Sequence, residues 1–127
     1  MKFERWFSGA TWESKVGYCR AIKAGNNIYL SGTVAVGDDG KPFVPGDAYT
    51  QARRCFEIIE KALKNLGADI SNVVRIRMFV TDISRSAEYG KAHFEFFGAN
   101  PPANSMIEIK SLIDPAYLIE AEADAVC

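Results

Sequence analysis

The final stretch of the sequence constrains the fold more than any other. From Tyr117 to Val126, Tyr117, Ile119, Ala121, Ala123 and Ala125 alternate with Leu118, Glu120, Glu122, Asp124 and Val126. Successive side chains of an extended chain point to opposite faces, so this period of two specifies a strand with one apolar and one acidic face. The apolar side must take helices. Three acids in a row repel one another unless cations or water meet them, and Arg75 and Arg77 on another strand are candidate partners. An oligomer interface suits such a network.

The remaining elements follow from periodicity and punctuation. Tyr18 to Lys23 and Asn27 to Gly32 are strand candidates joined at Ala24-Gly25-Asn26, a hairpin signal. Asp47 stands where a helix N-cap accepts backbone donors. Ala52, Cys55, Phe56, Ile59, Ala62, Leu63 and Leu66 then form one helical stripe within Ala48 to Leu66, stopped by Gly67. Asn72 to Asp82 reads as a strand, with Val74, Ile76, Met78 and Val80 on one side and Val73, Arg75, Arg77 and Phe79 on the other. A second helix, Ser86 to Phe97, carries Tyr89, Ala92, His93, Phe96 and Phe97 on one side. Pro101-Pro102 forces an extended entry to a strand near Asn104 to Lys110, and a turn at Ile113-Asp114-Pro115 leads to the last strand. The order ββ, α, β, α, ββ predicts an α+β single domain over residues 1–127: a mixed β-sheet with two helices packed on one face.

Composition narrows the function. The formal charge is -1, with acids and bases mixed along the chain, so no basic stripe is offered to nucleic acid. No apolar run approaches the roughly 18 residues of a membrane span, and the opening residues lack a signal peptide's apolar core. A cytoplasmic protein without nucleic-acid or membrane partners is expected. Cys19, Cys55 and Cys127 are widely spaced and His93 is the single histidine, which predicts neither a disulfide framework nor a metal site.

Several segments together resemble a known pattern. They are Gly17-Tyr18-Cys19-Arg20-Ala21-Ile22, Leu30-Ser31-Gly32-Thr33, Gln51-Ala52-Arg53 through Leu66-Gly67-Ala68, and Val73-Val74-Arg75 through Asp82. Phe96-Phe97, Pro102-Ala103 and Ile119-Glu120-Ala121-Glu122-Ala123 complete the set. In order and spacing the chain resembles the reactive intermediate deaminases, the RidA/YjgF-like or endoribonuclease L-PSP-like superfamily. That resemblance implies a chorismate-mutase-like fold, a homotrimer, and small-metabolite clefts at the subunit boundaries. It also implies cofactor-free hydrolysis of enamines or imines, released by pyridoxal-phosphate enzymes, to a 2-oxo acid and ammonia. Such chemistry needs a substrate grip, an orienter for water and a proton path to the departing nitrogen.

By the same resemblance Glu120 corresponds to the acid that orients water. Tyr18, Ser31, Gly32, Asn104 and Met106 correspond to positions lining the cleft, Tyr18 from the adjacent subunit. The family's carboxylate-gripping arginine, in Pro-Ala-Arg-Ser, is replaced in Pro102-Ala103-Asn104-Ser105. Losing a guanidinium could forfeit on the order of 1.5 to 3 kcal/mol per charged hydrogen bond. A substrate other than the standard 2-imino acid is therefore expected. Gly90 and His93 also depart from the pattern, which often has asparagine and tyrosine there, and the chain after Ile109 is one residue longer.

Arg20, beside Tyr18, is either a replacement grip for an anionic ligand or a solvated strand arginine. Glu122 and Asp124 read as structural acids, His93 as a core or rim histidine, and Trp12 as a cleft lid or a rim contact. Two functions compete: C=N hydrolysis with Glu120 positioning water, and a non-catalytic trimer that binds or senses a metabolite. Ribonuclease action fits poorly, since RNA cleavage usually wants paired proton-transfer groups and a basic groove.

Overall fold

Alternation becomes pairing in the computed structural model, which describes residues 2–127. In chain order the elements are β1 (Phe3–Trp6), α1 (Thr11–Val16), β2 (Ala21–Ala24), β3 (Asn27–Val34), α2 (Ala48–Asn65), β4 (Val73–Val80), α3 (Ser86–Phe97), β5 (Ala103–Glu108) and β6 (Ile119–Val126). They build one six-stranded sheet in the order β1-β2-β3-β6-β4-β5. Only β4 and β5 are parallel, with α3 as their crossover; the other neighbours are antiparallel. The sheet is therefore mixed, as expected.

β6 fills the slot between β3 and β4, which α2 connects. Its Ile119, Ala121, Ala123 and Ala125 are buried, while Glu120, Glu122 and Asp124 are half-buried on the opposite face. Asp47 caps α2 by accepting from the Thr50 N–H at 2.9 Å. The stripe predicted for α2 is buried, Ala52, Cys55, Phe56, Ile59, Ala62 and Leu63 completely so. Gly67 follows at φ +81°, a backbone conformation that favours glycine. From α3, Tyr89, Ala92 and Phe97 join the same core. His93 packs against Phe56 and Phe97, with centroid separations of 5.9 and 4.9 Å, and burial lowers its pKa. It is a packing residue. Burial also pushes the Cys55 thiol up, in keeping with an apolar role.

Three features differ from the sequence reading. β1 and α1 were not anticipated, because residues 3–17 show neither a clear alternation nor an apolar helical stripe. The segment from Tyr18 to Arg20 precedes β2 instead of belonging to it, and β6 starts at Ile119, after Tyr117 and Leu118. In β4, Val73 is buried and Val74 is 48% exposed, the reverse of the strict alternation. A register shift against β6 between Val73 and Arg75 accounts for this inversion. Among the described residues no helix is long and apolar enough to cross a membrane, and no cluster of three or more His, Cys, Asp or Glu could hold a metal.

Gln51, fully buried on α2, ties these layers together. Its side-chain amide donates to the carbonyls of Phe43 and Ala116, at 3.1 and 2.8 Å, and accepts from the Leu118 N–H at 2.8 Å. Backbone groups from the loop before α2 and the entry to β6 thus depend on one side chain. Gln51→Leu should cost roughly 2 to 5 kcal/mol by leaving them unpaired. Urea unfolding should show the midpoint falling with an unchanged slope.

Candidate functional site

The cleft begins at an irregularity in the sheet. Between Leu30 and Thr33 the β3–β6 register shifts, which puts Gly32 beside the Glu120 side chain. A Cβ at Gly32 would stand 2.8 Å from Cδ and Oε1 of Glu120, closer than side chains pack, so a larger residue here would displace the carboxylate. Glu120 is half-buried and makes no ion pair among the described residues. Burial raises its pKa above the ordinary 4.5; Glu122 adds to the rise, and Arg20 opposes it. Here the three acids divide: Arg77 bridges Glu122 and Asp124, at 3.4 and 3.3 Å, and leaves Glu120 out. Arg75 faces Asp124 in register but forms no ion pair.

Opposite Glu120 the wall is made by the turn from α1 to β2. Arg20 is buried, contrary to the solvated reading. Its Nε donates to Glu13 at 3.2 Å, Nη1 to the Gly32 carbonyl at 2.5 Å and to Thr33 Oγ1 at 3.2 Å, and Nη2 to the Tyr18 hydroxyl at 3.3 Å. The guanidinium also stacks over the Tyr18 ring, 5.3 Å from its centroid. Glu13 is held in turn by the N–H and hydroxyl of Ser8. Trp12, Tyr18, Arg20, Gly32, Tyr117 and Glu120 line a cleft of about 750 Å³, a volume suited to a small molecule.

The other predicted site residues lie elsewhere in the chain. The Ser31 hydroxyl donates to the Cys19 carbonyl at 2.7 Å, bracing the strand beside the cleft. Asn104 and Met106 are on β5, paired with Ile76 and Met78. By register they share the helix-covered face, whereas Glu120, paired with Phe79, projects from the other. Asn104 is exposed, and Met106 packs against the core. One chain therefore unites Tyr18, expected instead from the adjacent subunit, with Arg20, Gly32 and Glu120, but not with Asn104 or Met106. Glu13 was missed by the sequence reading, since an acid in a polar segment without an apolar stripe gives no sign of burial.

Comparison with known proteins assigns the family. The model of the endoribonuclease L-PSP family matches residues 9–127. The chain belongs to this family, within the RidA/YjgF superfamily. A RutC family protein of Pyrococcus abyssi is 32% identical over 108 residues, covering 85% of this chain and 84% of its own length. The crystal structure of Rv2704 from Mycobacterium tuberculosis, a YjgF/YER057c/UK114 family member, matches with a TM-score of 0.90 at 40% identity. That alignment covers 99% of this chain and 100% of the other. The Escherichia coli YjgF protein matches with a TM-score of 0.78 at 28% identity, covering 86% and 87% respectively. The two solved structures thus share this fold over 99% and 86% of the chain.

The Gly32–Glu120 contact can be tested directly. Gly32→Ala should leave the sheet folded but turn the carboxylate toward water, so the pKa of Glu120 falls back toward its ordinary value. Carboxyl-detected NMR titration of both proteins measures this, and an unchanged Glu120 pKa would contradict the packing described.

Proposed function

We propose that this RidA/YjgF-type protein binds a small metabolite in its cleft and hydrolyses an enamine or imine that is not the standard 2-imino acid. The observation that carries this reading is Glu120: a half-buried carboxylate with a raised pKa, free of ion pairs, on the wall of a cleft sized for a small molecule. A raised pKa makes the carboxylate a stronger base, better able to take a proton from water. Water adds to the C=N carbon while Glu120 takes its proton and passes it to nitrogen, forming a neutral carbinolamine. Glu120 then takes the carbinolamine's hydroxyl proton and delivers it to the amino nitrogen; the C–N bond breaks as the C=O bond forms, and a carbonyl compound and ammonia leave. The net change is R₂C=NH + H₂O to R₂C=O + NH₃, and no cofactor is consumed.

The reading includes a single-domain, cytoplasmic homotrimer with clefts at its subunit boundaries, and no nucleic-acid or membrane partner. Tyr29 and Ile107, each 48% exposed, lie on the sheet face opposite α2 and α3, beside the Arg77 network. That surface suits burial against further copies. A neighbouring subunit would also supply Asn104 and Met106, which one chain holds away from Glu120. Tyr18, Ser31, Gly32 and Arg20 complete the proposed ligand-binding set. A second reading, a non-catalytic binding trimer, is favoured by the amide at Asn104, which offers a ligand hydrogen bonds but no charge.

Ammonia release from an alkyl imine, generated in situ by an amine oxidase, separates the two readings. The unmodified protein should accelerate release, with activity increasing with pH through an apparent pKa above 4.5 as Glu120 ionises. Glu120→Gln should lose about a hundredfold or more while light scattering shows the same assembly. Equal rates in both proteins would remove Glu120 from the mechanism, and no acceleration at all would favour the binding trimer.

A further inference from the structure

Arg20 brings a positive charge to the cleft wall, yet the chain has already committed it. A guanidinium has five N–H donors. Nε is engaged by Glu13, both donors of Nη1 by Gly32 and Thr33, and one of Nη2 by Tyr18; five less four leaves one. A forked grip on a carboxylate needs two parallel N–H groups, and Arg20 cannot present them. Its charge is balanced as well. Glu13 and Arg20 side chains are only 2% and 8% exposed, so solvent screens their attraction weakly. Ser8 holds the Glu13 carboxylate through its N–H at 2.9 Å and through its hydroxyl, which keeps the acid from swinging away.

The other cations that this chain contributes to the cleft wall are poorly placed to substitute: one is engaged and one lies out at the solvent-screened rim. Arg54 is bound to the Val36 carbonyl at 2.8 Å and to Asp38 at 3.1 Å. Lys61 is exposed at the rim, where the acid Glu57 accompanies it. Glu120 adds a negative charge whenever it is ionised.

We infer that Glu13 is a specificity-determining residue: by occupying and neutralising Arg20, it makes the cleft reject carboxylate-bearing compounds and accept uncharged carbonyl or imine compounds. The inference rests on the ligand cleft proposed above, but it concerns binding and not turnover. If hydrolysis fails while the binding preference holds, only the hydrolytic reading is lost.

Calorimetric titration of the whole protein with 2-oxobutanoate and 2-oxobutanamide, a matched acid and amide, tests this. The unmodified protein should bind the amide at least about tenfold tighter than the acid. In Glu13→Gln, which keeps the shape but frees the charge of Arg20, the acid should gain about tenfold or more, so that the preference for the amide narrows by that factor. A merely structural role for Glu13 would weaken both ligands alike. The inference is overturned if the unmodified protein binds the acid as tightly as the amide, if it binds neither, or if a folded Glu13→Gln keeps the original ratio. The comparison in the unmodified protein stands even if that variant does not fold.

Discussion

Between Ile119 and Val126 one strand joins two halves of the molecule. β3 pairs along one edge of β6 and β4 along the other, so β1–β3 and β4–β5 form a continuous sheet only through it. Alanine at 121, 123 and 125 keeps its helix-side face low, leaving the volume beneath α2 to larger side chains such as Phe56, Ile59 and Leu63. The opposite face carries the acids. A one-residue slip would exchange these faces, burying three carboxylates in the core, so the alternation specifies register as well as position.

The cleft uses the same strand against its ordinary tendency. Glu122 and Asp124 share Arg77, which lowers their mutual repulsion, whereas Glu120 has only a distant influence from Arg20 and a glycine pressed against its carboxylate. Partial burial without a direct partner makes a carboxylate sensitive to what occupies the space beside it. Glu13 has the contrasting environment: deeply buried, but paired and hydrogen-bonded. Removing one member of such a pair commonly costs about 3 to 5 kcal/mol, because the survivor remains buried and uncompensated. The acid behind the cleft wall and the acid on it thus have opposed environments, one held by partners and one without an ion pair.

Elements whose pattern reflects a single dominant contact were legible in the sequence. The α2 stripe and the β6 alternation each face one apolar layer, and both are found where periodicity predicts. α1 was not legible, because its inward-facing residue is Glu13, buried by an ion pair seven residues along the chain and not by hydrophobicity. The inversion of Val73 and Val74 escaped because an inserted residue in the pairing leaves no compositional trace. At the site, Glu120, Gly32 and Tyr18 were identified through the family's pattern, but their mutual geometry was not. The engagement of Arg20 and the separation of Asn104 from Glu120 are set by sheet register, which local sequence does not display.

The register shift at Ser31 and Gly32 also has a temporal consequence. Residues 13, 18, 20 and 32 are synthesised early, while Glu120 arrives near the end and must insert between strands already linked by α2. Contacts so distant along the chain form late in folding, after much loop-closure entropy has been lost. Until β6 is seated, the ribosome-bound protein has an incomplete cleft that lacks Glu120, so the nascent chain is silent toward any ligand that depends on that carboxylate.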